Sequence, residues 1–192
     1  MKMKKIFLLL CIAAIGCDSN DDGFYNTKYV NAADLVVLET LPEYQVNDVL
    51  FVSAEIPNLL DEAGQTTPLD VRQTTGNADK FDFSYLLQKE TGDDVWEVVD
   101  VANDFVPDLG SHEVGAYVQG ILDFDAMTQS YRFRGGVRLT EPGTYRLSYS
   151  LNSSAPDRVA LRSRSPGNNV TLNIFSTSNA LNSEGYYVFT VN

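Results

Sequence analysis

Residues able to do covalent or metal chemistry are few in this sequence. It holds one histidine, His112, set between Ser111 and Glu113, and two cysteines, Cys11 and Cys17. A single imidazole with no thiolate nearby cannot assemble the three- or four-ligand sets that zinc requires. His112 beside a serine and an acid has the ingredients of a hydrolytic triad. However, no Gly-x-Ser-x-Gly elbow is present, and neighbouring residues in a chain are poorly placed to act on each other. Gly135-Gly136 is followed by neither a lysine nor a helix, so it does not read as a phosphate-binding loop. The acidic pairs Asp93-Asp94 and Asp123-Phe124-Asp125 have the oxygen chemistry of calcium ligands but lack the spaced pattern of a dedicated loop, and they read as solvated turns. Carboxylate pairs also serve glycosidases, yet their separation in space is not legible from sequence. The expectation is a chain without catalytic residues, metal or cofactor.

Binding chemistry is better represented. Ten tyrosines, ten phenylalanines and one tryptophan make up 11% of the chain. Most of them alternate with polar residues and so read as core, while Trp96 can be core or exposed. Arg132 and Arg134 alternate with Tyr131 and Phe133, and Arg146 alternates with Tyr145 and Leu147. Guanidinium groups aligned on one sheet face suit a carboxylate or sulfate, or else face acids of the same molecule. Trp96, Arg132, Arg134 and Arg146 are therefore the candidate ligand face, with an envelope protein or a glycan as the expected partner.

Positioning begins at the N-terminus. Lys2, Lys4 and Lys5 precede an apolar run from Ile6 to Ile15, which ends at Gly16-Cys17. A positive start, a short apolar core and a small-residue cleavage site make a secretory signal, and ten apolar residues are too few to cross a bilayer. The stretch Ala14-Ile15-Gly16-Cys17 resembles the lipobox of bacterial lipoproteins, with Ala14 where leucine is usual. The resemblance implies cleavage after residue 16 and lipidation of Cys17, so the membrane is a partner through the N-terminal lipid. It also leaves the mature chain with no intrachain disulfide. Asp18, Asp21 and Asp22 then open a polar stretch, 17–31, that reads as a tether. This acidic run resembles the surface-export signal of Bacteroidota lipoproteins, which implies the outer face of the outer membrane, with the periplasmic face as the alternative.

Without the three signal lysines, 11 basic residues stand against 26 acidic ones, a net charge of −15. That field repels nucleic acid and anionic headgroups. The remaining 32–192 suits one domain. Period-two alternation recurs at 46–56, 81–88, 114–124, 130–139, 144–151, 170–175 and 186–191, with shorter runs at 35–38 and 95–101. These runs read as strands separated by turn residues. The stretches 58–79, with one short strand near Leu69–Val71, and 152–169 read as long connections, and no amphipathic helix is expected after the signal. Glu141-Pro142-Gly143-Thr144-Tyr145 resembles the corner before a late strand in immunoglobulin-like and fibronectin-like sandwiches, where a tyrosine hydroxyl bonds to nearby backbone. The resemblance implies a single immunoglobulin-like β-sandwich of eight or nine strands.

Overall fold

A computed structural model of the chain describes residues 26–62, 64–151, 153, 155–164 and 170–192. The lipobox, Cys17 and the acidic run at Asp18, Asp21 and Asp22 lie outside the described residues. The fold is all-β, as the alternation predicts, but it is not an immunoglobulin-like sandwich. Fourteen strands are present among the described residues, and seven of them close into a mixed barrel.

The barrel strands are β1 (Asn26–Glu39), β2 (Val49–Pro57), β5 (Lys80–Gly92), β9 (Val118–Asp125), β10 (Ser130–Arg138), β12 (Arg158–Arg164) and β13 (Val170–Ser178). Around the ring they run β5-β12-β13-β1-β2-β10-β9, and β9 pairs back onto β5 from Lys80↔Asp123 to Tyr85↔Val118. A ring with an odd number of strands cannot be antiparallel throughout. The one parallel seam is β1 on β13, in register from Asn26↔Val170 to Ala32↔Ser176. β1 thus starts inside the stretch expected to be tether, and its outer residues owe their order to that seam rather than to apolar burial.

Alternating side chains fill the interior. β2 turns in Leu50, Val52, Ala54 and Ile56, β5 turns in Phe81, Phe83 and Tyr85, and β12 turns in Val159, Leu161 and Ser163. β12 lies in the stretch read as a polar loop. Its outward arginines masked an alternation that has only two large apolar members. Phe83 sits edge-on to Phe133 at 5.3 Å, and Phe81 edge-on to Tyr131 at 4.8 Å. These are favoured aromatic geometries that add to simple burial.

Five strands are added to the ring. β5 outruns the barrel, and its second half carries a side sheet with β6 (Val95–Val98), β11 (Gly143–Ser148) and β14 (Tyr186–Val191), in the order β6-β5-β11-β14. The inner face of this sheet packs Leu87, Tyr145, Leu147, Phe189 and Val191 with Tyr44, which is 2% exposed. Tyr145 donates its hydroxyl to the Glu141 carbonyl at 2.9 Å, so the corner motif forms locally without a sandwich around it. The other two additions are β7 (Phe105–Leu109) and β8 (Ser111–Val114).

These two strands act as a wedge. β9 and β10 pair directly only near their shared turn, from Ser130↔Asp125 to Arg132↔Asp123. Beyond that point they diverge; β7 continues the ladder on β10 and β8 continues it on β9. Gly110 joins the two at the fork with φ +78°. A β-carbon there would lie 2.6 Å from the Ile121 carbonyl oxygen and 2.8 Å from that of Arg132, one on each diverging strand. The β7–β10 register shifts between Arg134 and Gly135, where β7 carries one extra residue, Asp108. The stretch 58–79 holds a two-residue ladder, β3 (Leu59–Leu60) with β4 (Leu69–Asp70), and a single helical turn, α1 (Val71–Thr74), capped by Asp70.

Tyr85 and Tyr149 lie with ring centroids 6.3 Å apart, and both hydroxyls are buried without a hydrogen-bond partner among the described residues. Burial raises both phenols well above the usual value. In the unfolded chain the same groups ionise near pH 10, so above that pH the unfolded state sheds protons that the folded state keeps. Stability is therefore full below about pH 10 and falls as pH rises further, by roughly 1.4 kcal/mol per pH unit for each shielded tyrosine. Urea unfolding midpoints are expected to drop between pH 9 and pH 11, and to drop less in Tyr149→Phe, which lacks one of these protons.

Candidate functional site

The outer face of the side sheet gathers an aromatic–cationic layer. Strand parity turns Leu87 and Leu147 inward, and the same parity turns Gln88 and Arg146 outward as direct cross-strand partners. On the β6 side Trp96 is opposite Glu90, and on the β14 side Tyr186 is opposite Ser148. The Arg146 guanidinium lies 4.3 Å from the Trp96 ring centroid and 4.2 Å from that of Tyr186. Its Nε donates to Gln88 Oε1 at 2.8 Å. No carboxylate among the described residues pairs with it, and its terminal nitrogens make no hydrogen bond there. Two aromatic contacts and one amide hold the cation in place, and its outward donors remain for a ligand oxygen. Around this layer stand Val98 (50% exposed) and Val188 (48% exposed), with Leu86 partly covered.

Arg132 and Arg134 do not join this face. They sit on β10, where they line a depression of about 280 Å³ with Asp34, Ser53 and Glu55. Arg134 donates Nε and one terminal nitrogen to Glu39 at 2.8 and 2.7 Å and its other terminal nitrogen to Asp108 at 2.6 Å, and it stacks 3.9 Å over Phe51. The arginine holds the Glu39 carboxyl below its ordinary value, chiefly through those hydrogen bonds. A guanidinium with donors committed in this way clips β1, β2 and β7 to β10 and has little left for a ligand. Arg132 lies 4.0 Å from Glu55 and 3.9 Å from Asp125, both loose, exposed contacts. The four expected ligand residues thus split into an open pair, Trp96 with Arg146, and a pair turned toward acids of the same molecule. Sequence reasoning missed Gln88 and Tyr186, whose outward parity was readable from the buried positions beside them.

The catalytic ingredients stay apart. Ser111 donates to Asp123 at 2.7 Å, and Asp123 also faces Lys80 at 3.1 Å. His112, on the opposite face of β8, packs its ring 4.6 Å from Phe105. Asp125 accepts the Met127 backbone N–H at 2.8 Å, the work of a turn residue. In the 93–94 turn the positive φ falls on Asp94, at +57°. No group of three or more histidine, cysteine or acidic residues able to hold a metal occurs among the described residues, and no helix there is long and apolar enough to cross a membrane. Comparison with protein families, with characterised proteins and with solved structures gave no match to this chain.

Proposed function

We propose that this chain is a lipid-anchored envelope protein whose barrel domain is a non-enzymatic docking module for a protein partner. The anchor is Cys17, and the acidic run at Asp18, Asp21 and Asp22 directs the domain to the outer face of the outer membrane. The observation that carries the docking role is the Trp96–Arg146–Tyr186 layer on an open sheet face. Tryptophan, tyrosine and arginine are the residues that most often dominate binding energy at protein interfaces. Here they are already ordered by one another, so little side-chain entropy is lost when a partner arrives. Exposed Val98 and Val188 supply the apolar surround that excludes water from such a centre. The acidic field of the chain favours a partner with a basic surface, steering it toward the domain.

The test is capture of partner proteins from membranes of the cells that make this chain, using the detergent-solubilised full-length protein. Wild type is expected to retain a discrete partner, and Arg146→Ala and Trp96→Ala to lose at least about tenfold in affinity for it. Arg146→Lys should fail too, because an ammonium keeps the charge but not the planar stack. Retention unaffected by all three substitutions would move the interface elsewhere.

A further inference from the structure

The outer wall of the barrel carries a second, chemically different site. Between β9, β5, β12 and β13 lies a depression of about 330 Å³ lined by Asp82, Gln119, Ala160, Arg162, Asn173 and Phe175. The register explains the grouping. Arg162 is directly opposite Asp82 on one side and Asn173 on the other, and Asn173 is opposite Tyr29. One outward row thus reads carboxylate, guanidinium, amide, phenol. In the adjacent row Ala160 pairs with Phe175, and the small alanine leaves the hollow beside the ring.

The polar groups are held but not exhausted. Asp82, with a side chain 17% exposed, accepts from Gln119 Nε2 at 3.2 Å and from Arg164 Nε, and both bonds end on Oδ2. Its Oδ1 has no partner among the described residues. The same holds for the side chains of Arg162 and Asn173, so acceptor and donor sites converge on a single hollow. At its rim Phe175 and Tyr29 stack with planes 1° apart and centroids 6.0 Å apart, and Tyr29 is 64% exposed. The exposed Tyr29 ring, backed by the parallel Phe175 ring, forms an aromatic platform at this rim.

We propose that this depression binds a pyranose unit of a neutral polysaccharide. A pyranose ring presents an apolar C–H face and a rim of hydroxyls, each both donor and acceptor. The Tyr29–Phe175 platform matches the first, and Asp82 Oδ1, the Asn173 amide and the Arg162 guanidinium match the second. Asp82 is paired with Arg164 rather than with Arg162, and the net negative charge of the chain as a whole disfavours anionic polymers. The site is open along the sheet, which suits an internal unit of a chain rather than an enclosed small metabolite. It is separate from the Trp96–Arg146 face and does not depend on that face having a partner.

The experiment is titration of the detergent-solubilised full chain with cellotetraose, mannotetraose, xylotetraose, maltotetraose, chitotetraose and, as the acidic control, tetragalacturonate. Binding is followed by calorimetry and by saturation transfer from the protein to the sugar. At least one neutral tetrasaccharide should bind saturably at micromolar to millimolar concentration. Arg162→Ala and Asn173→Ala should each weaken it about tenfold, and Tyr29→Ala should abolish saturation transfer to ring protons at the platform. All three positions are exposed or half-buried, and unchanged circular dichroism and melting would exclude unfolding as the cause. Failure of every neutral tetrasaccharide to saturate would overturn the proposal, as would binding indifferent to these substitutions, preference for tetragalacturonate, or loss on Arg146→Ala with Arg162→Ala unaffected.

Discussion

Gly110→Ala is expected to be among the most destabilising single substitutions in the domain, lowering stability by about 3 kcal/mol and the melting temperature by roughly 10 °C. Two effects add. Gly110 sits at φ +78°, in the left-handed region that a β-carbon disfavours by roughly 1–2 kcal/mol. The new methyl would also press on the Ile121 and Arg132 carbonyl oxygens. Those oxygens belong to paired strands on the two sides of the fork, so neither can retreat without breaking ladder hydrogen bonds. Gly64 provides the control. It has a similar φ of +85°, but a β-carbon there meets nothing within 4 Å. Gly64→Ala should therefore show the backbone cost alone. Equal melting temperatures for the two variants would mean that the wedge of β7 and β8 is not tight at Gly110.

Cys17→Ser is expected to have the largest effect on where the protein is found. Each methylene buried in the bilayer contributes about 0.8 kcal/mol, and a single acyl chain gives only marginal, reversible attachment, so two or more are needed for a stable anchor. On the proposed anchoring, loss of the sulfur removes both the acylation site and the lipoprotein cleavage site. The variant should appear as an uncleaved precursor or as released protein, with the melting temperature of its barrel unchanged, because the barrel begins at Asn26. A processed Cys17→Ser protein that still fractionates with membranes would refute lipid anchoring.

How far the sequence reveals the fold follows from what period-two alternation encodes. In β2, Leu50, Val52, Ala54 and Ile56 state one buried face plainly, and the same holds for Phe81, Phe83 and Tyr85 in β5. Which strands become neighbours is not encoded in that pattern. Ring closure depends on β1 lying parallel to β13 about 140 residues away, and most of the outer residues of β1, such as Lys28 and Asn31, are polar. A sandwich and a barrel make the same demand on each strand taken singly. The tyrosine corner at Tyr145 was legible because its bond to Glu141 spans four residues. It was misleading about the fold for the same reason.

The candidate face shows a similar division. Alternation sets Arg146 outward but leaves Trp96 as core or exposed, and their contact is made across β5, which separates them in the sheet. Arg132 and Arg134 looked equivalent to Arg146 by alternation. Their difference lies in acids of other strands: β1 brings Glu39 and the added strand β7 brings Asp108 to Arg134, while Arg132 faces Glu55 and Asp125. The Asp82–Arg162–Asn173 row was invisible because β12 read as loop, which hid the strand that joins its two ends.

The account rests most heavily on the side-sheet face being an interface in the living cell. A photo-crosslinking residue in place of Val188, beside the Arg146 layer, tests this directly. Met127, 95% exposed on the β9–β10 turn of the barrel, is the control position. Irradiation of intact cells is predicted to give a discrete, higher-mass adduct from position 188 that is lost when Arg146→Ala is added, and none from position 127. No adduct from position 188, or the same adducts from both positions, would contradict the docking role.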